Sequence, residues 1–144
     1  MTRTLAVASL VAAFLGATLA PFAAVAAPRA VSAPANPTPA YDRCLATATG
    51  QTTMGMIQCA AAELKVQDAR LNRAYQAAIA RLERPRQKAA LQKAQRAWIA
   101  FRDADCAAFF DEDWGSMARV EANACVVDHT IHRANALETF RKGY

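Results

Sequence analysis

Between Thr53 and Leu82, Ala60, Leu64, Leu71, Tyr75, Ala78, Ile79 and Leu82 recur at steps of three and four, with Asp68 in the same stripe. That period belongs to a helix with one buried side and predicts a long helix from Thr53 to Glu83. Proline disfavours helix in the residue before it and is tolerated in a helix's first turn. "LERPRQ", with Pro85 at its centre, therefore predicts a tight corner between two antiparallel helices. The second helix runs to about Phe110 and carries Leu91, Gln95, Trp98, Ile99, Arg102, Cys106 and Phe109 on one face. After "DEDWGS", Ser116 is placed to cap a third helix. Val120, Ala124, Val127, Ile131 and Ala134 share one side of it, but Val126, Leu137 and Phe140 make another side partly apolar, and the pattern does not choose between them. A short helical turn at "YDRCLATA" precedes these elements. Strand-like alternation is almost absent. The expected fold is all-α: a small bundle made of a long antiparallel hairpin, a third helix and a short N-terminal helical turn.

Upstream the pattern changes character. Arg3 is followed by an apolar run from Leu5 to Ala20 and then by small residues, the layout of a secretory signal peptide, with Ala24-Val25-Ala26 as the cleavage signal. Pro21 interrupts the run near the length a membrane span needs. Residues 1–26 are read as signal peptide and residues 27–40, "APRAVSAPANPTPA" with its preceding cut, as a Pro/Ala-rich linker that buries too little to order itself. Residues 41–144 form one small helical domain. No cysteine follows the apolar run before Cys44, so no lipid anchor is expected. The mature chain is expected in the periplasm or secreted, without stable membrane insertion.

All four cysteines, Cys44, Cys59, Cys106 and Cys125, lie in that domain. An even count in an exported chain is read first as two disulfides, and the absence of a C-x-x-C pair argues against zinc knuckles and thioredoxin-like chemistry. Three pairings are possible; Cys44 with Cys59 and Cys106 with Cys125 is favoured, since each closes a short loop over a break between helices. Each would contribute about 3 kcal/mol by loop entropy.

The hairpin also organises the polar residues. Counted from Arg84, Asp68 lies 16 residues back and Arg102 18 forward, so both sit roughly 24–27 Å from the corner at the rise of a helix. Tyr75 and Gln95 match in the same way. Asp68, Tyr75, Gln95 and Arg102 are thus read as a structural polar core whose ion pair fixes helix register.

"CAAAELKVQDARLNRAY" (Cys59 to Tyr75), "LQKAQRAWIAFRDADC" (Leu91 to Cys106) and "CVVDHTIHRANAL" (Cys125 to Leu137) resemble the N-terminal domain family of the lysozyme inhibitor LprI. The resemblance covers nearly the whole domain. It implies an exported, cysteine-containing helical module, with inhibition of lysozyme as the implied activity and lysozyme as the implied protein partner; the repulsion between a glycosidase's paired carboxylates and Asp111 to Asp113 makes occlusion of the cleft, rather than mimicry of substrate, the expected action. Gly55 departs from the family, which usually has glutamate there, and the departure predicts a weakened start to the first long helix.

Charge decides where such a partner would sit. Without Arg3 of the signal peptide, 16 basic and 12 acidic residues remain, a net charge of +4. Six basic residues stand between Arg81 and Arg96 against Glu83 alone, while five acids and no base stand between Asp103 and Asp113. The acidic end carries aromatics, and aromatic anchors rimmed by charge suit a protein interface. Phe110, Asp111, Glu112, Asp113, Trp114, Ser116 and Arg119 are the candidate partner-binding residues. Since a glycosidase cleft holds paired carboxylates, Ser116 or Arg119 would be the groups that reach them. The basic end has no interleaved aromatics, which together with export argues against nucleic acid. Cys125, His129 and His132, near Glu121 and Asp128, have metal-ligand spacing, but a disulfide at Cys125 removes the thiolate, so no metal and no cofactor is assigned. No nucleophile and base can be placed together, and no catalytic residue is assigned. An envelope interaction or stress protein without lysozyme inhibition, or a metal-binding periplasmic protein, remains the alternative.

Overall fold

The computed structural model describes residues 36–110 and 112–142. The expected signal peptide and the expected linker up to residue 35 lie outside them. The order is α1 (Pro39–Leu45), α2 (Thr53–Ala80), α3 (Pro85–Ala107), a 3-10 turn (Glu112–Trp114) and α4 (Ser116–Thr139). No strand occurs among the described residues.

Each helix begins where local chemistry supplies a cap or tolerates its loss. Thr38 caps α1, its Oγ1 accepting from the Tyr41 N–H at 3.3 Å with Pro39 next in line. Thr38 and Pro39 therefore belong to the domain, which starts a few residues before Tyr41. Thr52 caps α2 by accepting from the Gly55 N–H at 3.0 Å, so Gly55 does not weaken that helix start. The glycine meets a packing need: a Cβ on it would stand 1.9 Å from the Thr49 carbonyl oxygen. α2 stops at Ala80, earlier than Glu83, because Arg84 must be extended ahead of Pro85. α3 ends at Ala107, and residues 108–110 close as a turn, with Phe110 N–H bonded to the Ala107 carbonyl at 2.9 Å. α4 is capped by Gly115, at φ 64°, a conformation glycine adopts without strain; Ser116 is the first helical residue and not the cap.

The chain turns back at Pro85 as expected, but the rails of that hairpin are not the tightest pairing. α2 packs most extensively on α4, and α3 lies mainly against α4. Size explains this. α2 presents Ala60, Ala74 and Ala78 and α4 presents Ala134, all buried, and such small side chains let two axes approach closely. α3 buries only Leu91 and Cys106, leaving Ile99 and Phe109 exposed. The buried side of α4 holds Val127, Thr130, Ile131, Ala134 and Leu137, which settles its packing face. Leu71, Ala74, Ala78, Leu82, Leu91, Ala134 and Leu137 make the larger core, while Ala60, Val127 and Ile131 make a second one under Tyr41 and Leu64.

Two disulfides staple the bundle with the favoured local pairing. Cys44–Cys59 ties α1 to α2, and Cys106–Cys125 ties the end of α3 to α4. One turn beyond Cys59 on α2 a polar ladder begins. Glu63, 3 % exposed, accepts from the Thr38 N–H at 2.9 Å, the Thr38 hydroxyl at 2.5 Å and the Gln67 amide at 2.7 Å. Burial alone would raise its carboxyl pKa, but those donors outweigh burial and hold it below the ordinary value. One turn on, Arg70 donates to Gln67 at 3.1 Å and crosses to α4, reaching Asn135 and both oxygens of Glu138 at 2.8 and 2.7 Å. Hydrogen bonding from Arg70 keeps Glu138 below the usual carboxylate range.

Candidate functional site

Because α2 and α4 run side by side in the same direction, both their first turns open at one end of the bundle, where α3 finishes. Thr53, Met54 and Ile57 from α2, Phe110 from the turn after α3, and Gly115, Ser116, Ala118 and Arg119 from α4 line a hollow of about 480 Å³ there. Met54 and Phe110 in its lining, and Trp114 and Met117 flanking Gly115 and Ser116, are all exposed, a concentration of large apolar side chains at one tip. The Arg119 guanidinium lies 5.6 Å from the Phe110 ring centroid, a cation–π contact that holds the charge at the mouth. Asn123 Nδ2 donates to the Arg119 carbonyl at 2.7 Å and steadies that turn of α4. Phe110 also lines a second hollow, with Asp103, Cys106, Ala107, Ala122, Asn123 and Val126.

Of the residues expected to bind a partner, Phe110, Ser116 and Arg119 thus converge on one cavity, with exposed Trp114 and Asp113 on the adjoining turn. Asp111 lies outside the described residues, as does the side chain of Glu112. Met54, Ile57 and Met117 were not expected here. Their apolar character is plain in the sequence, but only the parallel α2–α4 pairing carries the start of α2 to this tip.

The expected polar core is rearranged. Asp68 and Arg102 do approach, at 3.9 Å, but Asp68 is half-exposed, so the pair sits at the margin of the seam. Arg102 binds its neighbour Asp103 more closely, at 2.8 Å, donates to Thr130 at 3.4 Å, and lies 5.1 Å from the Trp98 ring centroid. Gln95 accepts from Arg133 Nε at 2.9 Å instead of meeting Tyr75, which packs on the larger core. The reason is the separation of the hairpin rails: α4 fills the space in which those side chains would have met. The interior polar groups are Glu63, Gln67 and Thr130 instead. The histidines do not form the metal set suggested by spacing, because Cys125 is in a disulfide and His132 stands 3.4 Å from Asp128.

The profile of the family described as "Lysozyme inhibitor LprI" matches residues 44–137, from the first cysteine to the last buried leucine of α4. The chain belongs to the LprI lysozyme-inhibitor family. It is also 31% identical over 93 residues to an uncharacterised protein of Rhizobium meliloti (strain 1021), a match spanning 56% of this chain and 67% of that protein. No solved structure matches the chain. The LprI match takes in both disulfides, Glu63, Gln67, Arg70 and Asn135 of the polar ladder, and the cavity-lining residues Thr53, Met54, Ile57, Phe110 and Arg119. The activity that names the LprI family is inhibition of lysozyme. No helix among the described residues is long and apolar enough to cross a membrane.

Proposed function

We infer that the protein is an exported lysozyme inhibitor that covers the enzyme's substrate cleft with the tip formed by the first turns of α2 and α4. The observation that carries this reading is the convergence of Phe110, Trp114, Met54 and Met117 with Arg119 around one hollow. Exposed aromatic and methionine side chains supply the desolvated centre an interface needs. Arg119, already seated over an aromatic ring, can point its guanidinium at the paired carboxylates of a glycosidase without leaving a buried charge alone. The exposed acids Asp103, Asp105 and Asp113 near this end favour encounter with a basic enzyme, although the chain as a whole is basic.

The test is a cell-wall lysis assay with the purified, oxidised mature protein and a panel of lysozymes, comparing wild type with Phe110→Ala, Trp114→Ala and Arg119→Glu. Inhibition by wild type that each substitution weakens at least tenfold supports the reading. Inhibition that survives all three places the surface elsewhere, and no inhibition of any lysozyme removes the function and favours an envelope interaction of another kind.

A further inference from the structure

The His129 imidazole is held beside the Cys106–Cys125 disulfide. Its Nε2 stands 2.9 Å from Asp105 Oδ2, and the edge of the Phe101 ring meets it with centroids 5.4 Å apart. Two side chains of α3 thus fix one partly buried imidazole of α4. Its ligand nitrogen and the sulfurs of Cys106 and Cys125 all lie within 4.8 Å of one another. Among the described residues this is the one group of three metal-binding side chains so placed, and the Cys44–Cys59 disulfide has no counterpart. Cys125 and His129 are one helical turn apart on α4, and Asp105 and Cys106 are adjacent on α3.

We propose that reduction of Cys106–Cys125 converts this staple into a zinc site, with Cys106, Cys125 and His129 as ligands and Asp105 orienting the imidazole. A dithiol supplies two electrons and two protons: the S–S bond breaks, two thiols form, and the dithiol closes to its own disulfide. Zinc then binds the two thiolates as both thiol protons pass to solvent. Zinc holds sulfur at about 2.3 Å and imidazole nitrogen at about 2.0–2.1 Å, so ligands of one tetrahedral ion stand roughly 3.5 Å apart, within the span of this cluster once the sulfurs part. With the Nε2 proton directed at Asp105, Nδ1 keeps the free lone pair, and carboxylate-to-imidazole-to-zinc is a common arrangement. Three protein ligands leave the fourth position to water. Disulfide and metal close the same stretch of chain, residues 106–125, which contains Phe110, Trp114 and Arg119. The metal therefore holds the tip in place when the disulfide cannot. Gating by reduction makes this site distinct from the Cys125, His129 and His132 spacing read in the sequence; His132 takes no part.

The experiment titrates cobalt, then competing zinc, into the full mature chain reduced by a phosphine under nitrogen, with the oxidised protein, Cys44→Ser/Cys59→Ser, His129→Ala and Asp105→Asn alongside. The expected result is a thiolate-to-cobalt absorption band that saturates at one ion per chain in reduced wild type and in the double serine variant. The oxidised protein shows none. Asp105→Asn weakens zinc about tenfold or more, as loss of an orienting carboxylate does, and His129→Ala weakens it further. Zinc also raises the melting temperature of the reduced protein and leaves that of the oxidised protein unchanged. Reduced wild type without a thiolate band, equal binding by the oxidised protein, or undiminished affinity in His129→Ala would each overturn the proposal.

Discussion

Gly55→Ala sets two physical effects against each other, and the structure decides the sign. In an exposed helix interior the change gains about 0.5–1 kcal/mol, because alanine has the better helix propensity and loses less backbone entropy. Here Gly55 lies in the first turn of α2, buried, with its own N–H bonded to the Thr52 hydroxyl. A Cβ would stand 1.9 Å from the Thr49 oxygen, 2.7 Å from the Thr49 carbonyl carbon and 3.0 Å from the Gly50 Cα. All three are backbone atoms, so no flexible side chain can swing aside. The same segment is pinned by the Cys44–Cys59 disulfide, which limits how far α1 and its turn can retreat. Overpacking of this kind costs about 1–3 kcal/mol. It exceeds the propensity gain, so the expected outcome is a net loss of about 1–2 kcal/mol and a melting temperature lower by roughly 4–15 °C for a domain of this size. Gly55→Glu, which brings the same Cβ and a longer side chain, should cost at least as much. Urea denaturation followed by circular dichroism measures it, with an unchanged m-value confirming that only the folded state is affected. An alanine variant as stable as wild type, or more so, would refute the close approach.

Further predictions address the polar ladder and the first disulfide. The folded Glu63 and Glu138 carboxyls bind protons less readily than unfolded ones, so their contribution to stability is present above about pH 4.5 and is lost as pH falls through their lower folded values. Glu63→Gln should therefore flatten the acid limb of a stability-versus-pH curve and cost most near neutrality; a parallel curve would contradict this. Arg70→Ala removes the bonds to Asn135 and Glu138 and should cost about 1.5–3 kcal/mol in urea melts, and a cycle with Glu138→Gln should show coupling above about 0.5 kcal/mol. Cys44→Ser/Cys59→Ser should lose about 2–5 kcal/mol by thermal melting while keeping helical circular dichroism, since α1 alone is released.

What could be read from the sequence was local. The apolar period from Thr53 onward marks α2, Pro85 forces its corner by covalent geometry, and the cysteine pairs close short loops. All of that depends on neighbours along the chain. The pairing of α2 with α4 depends on Ala60, Ala74, Ala78 and Ala134, and an alanine carries little periodic signal because it is at home on either face of a helix. Without that pairing, Tyr75 and Gln95 looked like partners across a seam in which Gln95 in fact meets Arg133 of α4, while Asp68 and Arg102 still approach at 3.9 Å at its margin. Glu63 and Gln67 carry no signal of burial in the sequence, because the segment that satisfies Glu63, at Thr38, falls in the Pro/Ala-rich stretch read as linker. At the candidate site, Phe110, Trp114, Ser116 and Arg119 were legible from composition and charge near one loop. Met54 and Ile57 were not, since they arrive from more than fifty residues upstream of that loop, by way of a helix pairing that small side chains create.

The central claim is that the aromatic and Arg119 tip stops a lysozyme. The most direct measurement is the rate of cell-wall lysis by a basic lysozyme at increasing concentrations of oxidised protein, wild type against Arg119→Glu with matched melting temperature. The account predicts saturable inhibition by wild type at low salt and near neutral pH, and inhibition at least tenfold weaker in the charge-reversed variant. Undiminished lysis at every concentration of correctly oxidised wild type would contradict it.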